Sequence, residues 1–140
     1  MAKNVLVDTG FWFAFYTPGD SNHEKAFVIA DLLTNQNVLV PWPTLYETVN
    51  SKFLKRREVI NNFETYIKKA NVRLIEDSPY KDIAFQESVF FAQRNRNLSL
   101  VDSIIRQIVV DISVKVDYLV TFNKRDFIDV CLRRKIEIYE

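Results

Sequence analysis

The stretch "NVLVDTGFWFAF", residues 4–15, joins two apolar runs through a single acidic residue, Asp8. The first run, residues 4–7, is short and rich in branched side chains, which is typical of a buried strand. Residues 9–16 then predict a helix. Asp8 can therefore be the cap of that helix, because aspartate is a favoured N-cap residue. It can equally be a functional carboxylate standing at the carboxyl end of a strand.

Length and composition predict one domain spanning residues 1–140. Hydrophobic residues make up 48% of the chain, which is enough to fill a core without disulfides or a structural metal. The single cysteine fits a reducing compartment. No signal-peptide pattern and no apolar run of roughly 18 residues is found. We therefore expect a soluble, cytoplasmic protein that does not associate with membranes.

The net charge of +1 excludes a protein that coats DNA by electrostatics alone. It does not exclude a nuclease, because acids at a metal site would mask local basic patches in the sum. For any single basic cluster, a solvated surface is the simplest interpretation. The clusters are Lys52, Lys55, Arg56 and Arg57; Arg94 and Arg96; Lys124 and Arg125; and Arg133, Arg134 and Lys135.

Short apolar runs alternate with longer helical patterns along the whole chain. Strands are predicted at residues 4–7, 37–40, 72–75, 118–122 and 135–139, and helices at 9–16, 21–34, 43–56, 58–70, 79–95, 99–114 and 124–131. This alternation predicts an α/β fold, a three-layer α/β/α sandwich around a central, mainly parallel sheet of about five strands. Sites in such sheets form at the carboxyl ends of the strands. The triplet Asp8-Thr9-Gly10 also occurs in aspartic proteases, but a chain with only two glycines opposes that all-β alternative.

Glu47 lies in the helix that opens with two prolines. Its neighbours at helical spacing are small and uncharged, namely Pro43, Thr44, Asn50 and Ser51. A solvated helix face usually carries lysine or arginine at such positions. The pattern therefore favours a glutamate that faces a site, with an ordinary surface glutamate as the alternative.

Asp102 lies near the start of "NLSLVDSIIRQIVVD", residues 97–111. Ser99 and Asp102 have the spacing of a capping box, and Arg106 is placed to pair with Asp102. The helix is apolar on nearly every side, so it must be largely buried. A carboxylate in its first turn is then either paired or close to a metal ion.

Three more polar residues, Thr121, Asn123 and Asp126, lie at or just beyond the end of the fourth predicted strand. Acids from well-separated segments can thus meet at one edge of the sheet. Such a set describes an oxygen-ligand site for a hard cation such as Mg²⁺ or Mn²⁺. The chain has no cysteine–histidine cluster, which argues against a zinc site of the usual kind.

Four segments together resemble the PIN-domain family, in the usual order and spacing. They are "VLVDTGFWFAF" (5–15), "TLYETVNS" (44–51), "NLSLVDSIIRQIV" (97–109) and "YLVTFNKRDF" (118–127). The subgroup that the chain resembles most is the VapC-type toxins of toxin–antitoxin pairs. The resemblance implies a Mg²⁺- or Mn²⁺-dependent endoribonuclease that cleaves RNA phosphodiester bonds. It also implies a homodimer and a cognate antitoxin that inhibits it.

The resemblance also implies the residues of the site. Asn123 stands where many family members have aspartate, so the fourth acid is assigned to the following Asp-Phe pair. The four carboxylates are then expected to converge within reach of one metal site. The alternative function is a non-catalytic PIN-like module that binds RNA or protein, and Asn123 keeps it open. The implied catalytic and metal-binding residues are Asp8, Glu47, Asp102 and Asp126, with Thr121 and Asn123 as neutral helpers.

Overall fold

The computed structural model describes the whole chain, Met1–Glu140. Helices and strands alternate throughout. The strands are β1 (Asn4–Val7), β2 (Asn37–Pro41), β3 (Val72–Ile75), β4 (Tyr118–Val120) and β5 (Glu137–Tyr139). The helices are α1 (Thr9–Tyr16), α2 (His23–Leu33), α3 (Trp42–Thr48), α4 (Ser51–Leu54), α5 (Arg57–Ile67), α6 (Lys81–Ala92), α7 (Leu100–Val110) and α8 (Ile128–Arg134), and a 3₁₀ turn spans Lys124–Asp126.

All five strands belong to one parallel sheet with the order β3-β2-β1-β4-β5. The chain builds outward from β1 through β2 to β3, and then returns to the other side of β1 for β4 and β5. The order therefore reverses between β1 and β4. In open parallel sheets this reversal leaves a crevice outside the carboxyl ends of the two strands, where ligands bind.

Helices cover both faces of the sheet. Val5 and Val7 of β1 pack on the side of α1, α2, α4 and α5. Leu6 points to the opposite side and packs with α6, α7 and α8. Each strand thus feeds two apolar clusters through its alternating side chains. The predicted three-layer α/β/α sandwich with five parallel strands is confirmed.

Two predicted helices differ from the structure in length. The helix expected at 43–56 is split in two, because the Asn50 side chain accepts a hydrogen bond from the Phe53 amide at 2.9 Å and starts α4. The helix expected at 99–114 ends at Val110. There the Asp111 carboxylate accepts hydrogen bonds from Tyr80 and from Ser113, which fixes a turn.

The segment after β4 also differs from its prediction. Instead of one helix over 124–131, the 3₁₀ turn comes first and α8 follows from Ile128. This break leaves Asn123 and the turn free to fold over the carboxyl end of β4. None of the helices has the combination of length and apolar character needed to cross a bilayer.

Candidate active site

Asp8 stands at the crevice between β1 and β4. Its amide donates to the carbonyl of Val120 at 3.0 Å, which fastens it to the end of β4. Its carboxylate accepts from the Thr9 amide at 2.7 Å and from the Thr121 hydroxyl at 2.9 Å. The residue is 8% exposed. Asp8 is therefore both the cap of α1 and a buried carboxylate at the crevice, so the two interpretations of its sequence position hold together.

Glu47 reaches toward the same crevice from α3. Its Oε1 accepts a hydrogen bond from the Thr9 hydroxyl at 2.6 Å, next to Asp8 in the chain. Although Glu47 is an exposed residue, its carboxylate is thus held against the start of α1. This contact favours the interpretation that Glu47 faces a site rather than open solvent.

Asp102 enters the site from the first turn of α7. Ser99 caps this helix, as predicted, and its hydroxyl oxygen accepts from the Asp102 amide at 3.1 Å. The capping fixes where the Asp102 side chain leaves the helix. The residue is half-buried, and its charge interacts with those of Asp8, Asp126 and Glu47.

The segment after β4 brings the last three predicted residues to the crevice. Thr121 donates to Asp8 and accepts from the Asn123 amide at 3.0 Å. The Asn123 side chain donates to the Asp126 carboxylate at 2.5 Å. The two residues expected as neutral helpers therefore connect two of the expected acids through hydrogen bonds.

The negative charge of this group is not balanced. Burial, above all, raises the pKa of Asp8 to about 6; hydrogen bonds from Thr121 and Thr9 oppose the rise, and the charges of Glu47 and Asp126 add to it. Burial also raises the pKa of Asp102 to about 7, followed by the charges of Asp8 and Asp126. None of the four acids takes part in a salt bridge.

The expectation of a ready-made ligand group needs a correction. No three aspartate, glutamate, histidine or cysteine side chains stand in an arrangement that would hold a metal ion. The physical reason lies in the neutral partners of the outer acids. Glu47 is turned to the Thr9 hydroxyl, and Asp126 is turned to the Asn123 amide. Each hydrogen bond uses one oxygen of its carboxylate, and the two side chains must reorient before they can share a cation with Asp8 and Asp102.

Sequence reasoning missed the role of Arg106. The spacing of Arg106 and Asp102 allows the two to pair, but the structure shows no such pair. The guanidinium of Arg106 instead donates to both carboxylate oxygens of Asp129, at 2.6 and 2.9 Å, and to Glu87 at 3.3 Å. Its Nη1 also donates to the carbonyl of Asp126 at 2.8 Å. An arginine in an otherwise apolar helix was the signal that a buried partner had to exist.

Arg106 is 3% exposed, and it joins three parts of the fold. Glu87 comes from α6, Asp129 from α8, and the Asp126 carbonyl from the turn between β4 and α8. Hydrogen bonds from Arg106 lower the pKa of Asp129. The same guanidinium thus keeps Asp129 ionised and holds in place the turn that carries Asp126.

No protein-family model matches the chain, and no curated protein is a significant match. Solved structures do match. VapC20 of Mycobacterium tuberculosis, described as a Sarcin-Ricin loop cleaving toxin, aligns with a TM-score of 0.68 over 87% of this chain and 92% of its own, at 19% identity. The chain shares the fold of VapC20.

A second solved structure also shares the fold of this chain. It is VapBC2 from Rickettsia felis, described as bound to a DNA fragment from their promoter. It aligns with a TM-score of 0.59 at 15% identity and covers 96% of each chain. The predicted PIN-like α/β/α fold is therefore confirmed, and the two alignments cover 87% and 96% of this chain.

Proposed function

We propose that this protein is a Mg²⁺- or Mn²⁺-dependent endoribonuclease that cleaves RNA phosphodiester bonds. One observation carries the proposal: Asp8, Glu47, Asp102 and Asp126 gather at the carboxyl edge of the sheet with no cationic side chain paired to any of them. The shared fold of VapC20, described as a Sarcin-Ricin loop cleaving toxin, supports RNA as the substrate.

The donor set fits a hard divalent cation, because all of its ligand atoms are oxygens. Burial and mutual repulsion make the ionised forms of Asp8 and Asp102 unfavourable, and a cation would relieve both effects. Asp8 and Asp102 would hold it from the inner side of the crevice. Glu47 and Asp126 would join them after a change of side-chain orientation. A bound metal ion lowers the pKa of coordinated water and stabilises charge on the phosphate.

The remaining residues orient the acids. Thr121 and the Thr9 amide use both oxygens of Asp8 and so fix its plane. Arg106 fixes the turn that carries Asp126. His23, the only histidine, is bound to the carbonyl of Ala14 at 2.7 Å, and it is not part of the acidic group. The site therefore relies on carboxylates for its chemistry and offers no serine–histidine pair.

The biological role that we infer is that of the toxin in a toxin–antitoxin pair, acting in the cytoplasm and inhibited by a cognate antitoxin. The VapBC2 structure and the motif resemblance support this role. We also infer a homodimer. Helix α6 supports self-association, since Phe85 and Val89, one turn apart, are 60% and 40% exposed. Light scattering of the purified protein should give twice the monomer mass, whereas a monomer at high concentration would contradict the dimer.

The test of the enzymatic proposal is cleavage of single-stranded RNA by purified protein. Cleavage should require Mg²⁺ or Mn²⁺, stop on addition of EDTA, and return when the metal is restored. The Asp8→Asn variant, which keeps the shape of the side chain, should be inactive under all of these conditions. Equal, metal-independent cleavage by the two proteins would indicate a contaminant and would favour the non-catalytic, RNA- or protein-binding module.

A further inference from the structure

A second feature of the crevice side is a polar cleft of about 620 Å³ that opens beside Asp126. One wall is the turn between α6 and α7, with Asn95, Arg96 and Asn97. The other wall is the segment between β4 and α8. No apolar residue lines the cleft, whereas pockets for small organic ligands are mostly apolar. Its chemistry therefore suits a ligand that is charged and polar along its whole length.

The cleft offers cationic groups next to the acids. Arg96 and Arg125 line it, together with Asp126 and Asp129. The charge of Asp129 is already compensated by Arg106, which donates two hydrogen bonds to it. The two arginines on the cleft thus face a single unpaired carboxylate, that of Asp126, which belongs to the acidic group. An anionic ligand in the cleft would meet the positive charges of Arg96 and Arg125.

Arg96 is held in position rather than free. Its guanidinium lies over the ring of Phe91, 4.6 Å from the centroid, and Nη2 donates to the Asp126 carbonyl at 3.5 Å. The planar guanidinium binds phosphate oxygens through two parallel hydrogen bonds. Because Arg96 is already ordered, less side-chain entropy is lost when such a ligand binds.

The asparagines add groups that can recognise a base. Asn95 and Asn97 stand on either side of Arg96, and Asn95 has a left-handed backbone with φ of 62°. This conformation is one that asparagine tolerates better than most residues. A side-chain amide carries a donor and an acceptor side by side, which is the pattern presented by the edges of unpaired bases.

We propose that this cleft binds a single-stranded RNA nucleotide flanking the bond that is cut, with its phosphate on Arg96 and Arg125 and its base toward Asn95 and Asn97. The proposal rests on the proposed ribonuclease function and assigns the part of the protein that holds the substrate. It explains why an amide-rich cleft with two arginines adjoins a group of acids that would by itself repel RNA.

The chain contains a matched control for this cleft. A smaller cleft of about 250 Å³ lies at the amino ends of the strands, and its lining also combines one arginine, Arg73, with asparagines at positions 4, 37 and 71. Arg73→Gln removes the same charge at the opposite edge of the sheet. The proposal predicts that only the cleft beside Asp126 affects RNA.

The test measures binding and cleavage separately. Binding of a fluorescein-labelled, mixed-sequence, single-stranded RNA of about twelve nucleotides is measured by anisotropy at several salt concentrations, in an Asp8→Asn background to prevent cleavage. Arg96→Gln and Arg125→Gln should each weaken binding about 5-fold and lower the slope of log affinity against log salt by about 0.7. Arg73→Gln should change neither quantity. Arg96→Lys should keep the salt slope, which separates loss of charge from misfolding.

The same substitutions in the active protein should raise KM for RNA more than they lower kcat. If the wild type cleaves RNA but Arg96→Gln and Arg125→Gln bind and cleave it like Arg73→Gln, the cleft does not hold the substrate. If they leave RNA binding intact and abolish binding of an acidic peptide, the cleft serves a protein partner and the proposal is overturned. If the wild type cleaves no RNA under any condition, the proposed function itself fails, whatever the binding results.

Discussion

Asp102 and Arg106 lie one turn apart on α7, yet Arg106 is paired with opposite charges and Asp102 is not. Arg106 is buried with two carboxylates, and both charged partners are within hydrogen-bonding distance. Asp102 faces three other acids, and no cationic side chain pairs with any of them. Arg106 therefore pairs with residues of other helices and not with Asp102 on its own helix. Asp129 offers it two hydrogen bonds, and Glu87 offers a third.

The difference separates a structural charge from a functional one. The contacts of Arg106 with Asp129 and Glu87 are complete within the chain, so they stabilise the packing of α6, α7 and α8. The acidic group is incomplete without a ligand, and it raises the free energy of the folded state at neutral pH. Perturbed carboxylates in a crevice are typical of functional sites. Substitutions in the acidic group should therefore change activity, whereas substitution of Arg106 should change stability.

Removing one ligand charge from the acidic group should nearly abolish activity. Asp8→Asn should lower the rate of metal-dependent RNA cleavage about 100-fold or more, equivalent to about 2.7 kcal/mol. The control is Asp117→Asn at the other end of β4, where the side chain accepts from the Asn4 amide at 2.8 Å and an amide oxygen can do the same. This control should retain wild-type activity, and equal losses in the two variants would contradict the assignment.

Removing the compensated charge should instead destabilise the fold. Arg106→Met leaves Asp129 and Glu87 without their partner, and the free energy of unfolding measured in urea should fall by about 3 kcal/mol. The Asp129 side chain is 42% exposed, which moderates the loss. A change below about 0.5 kcal/mol, the range of ordinary surface substitutions, would show that the ion pairs of the buried Arg106 do not stabilise the fold.

The same Asp8→Asn substitution should stabilise the metal-free protein. The folded-state pKa of Asp8, about 6, lies above its ordinary value of 3.8, so the folded state favours the protonated form. The protonated Asp8 carboxyl therefore stabilises the wild-type fold fully below about pH 4, and this stabilisation is lost as the pH rises through about 6. In EDTA at about pH 8, the free energy of unfolding of Asp8→Asn should therefore be about 3 kcal/mol higher than that of the wild type.

The pH series supplies the control for that stabilisation. The difference in unfolding free energy between wild type and Asp8→Asn should shrink steeply below about pH 6 and close by about pH 3, where the wild-type carboxyl is protonated in both the folded and the unfolded state. A gap that stays constant across this range would attribute the effect to packing rather than to charge. A gap of the opposite sign at about pH 8 would mean that Asp8 is stabilised in its ionised form.

The smallest expected effect concerns the fourth acid. Asp126→Asn should lower cleavage about 10-fold, less than Asp8→Asn, because Asp126 stands at the outer side of the group and is held by Asn123. Adding Asn123→Asp to this variant places an acid where many PIN-domain proteins have one, and it should restore part of the activity. Full activity of Asp126→Asn alone would exclude Asp126 from the site.

The sequence was sufficient to predict the layers and the five strands, because these depend on local patterns. Apolar runs predict strands whatever surrounds them, and Ser99 signals the start of α7 through its spacing alone. The partner of Arg106 was not predictable in this way. The pairing of Arg106 with Asp129 depends on where α8 begins. A 3₁₀ turn precedes α8, and the helical pattern of the sequence did not predict it.

The state of the outer acids was also beyond the sequence. The contacts of Glu47 with Thr9 and of Asp126 with Asn123 depend on which staggered rotamer each side chain adopts, and a local sequence pattern does not determine that choice. The turn at Asn95–Asn97 was visible only as part of a basic cluster. Its position beside Asp126 follows from the packing of α6 against α7, which no local pattern encodes.

The most direct test of the central claim is a Mn²⁺ titration followed by electron paramagnetic resonance, which detects the metal without any RNA. The wild type should bind Mn²⁺ at about pH 8 and lose it as the pH falls toward about 5, because Asp8 and Asp102 take up protons. Asp8→Asn should bind at least about 10-fold more weakly, while Asp117→Asn should bind like the wild type. Equal binding by the wild type and Asp8→Asn, or no binding by either, would contradict the claim that the uncompensated acids form a metal site.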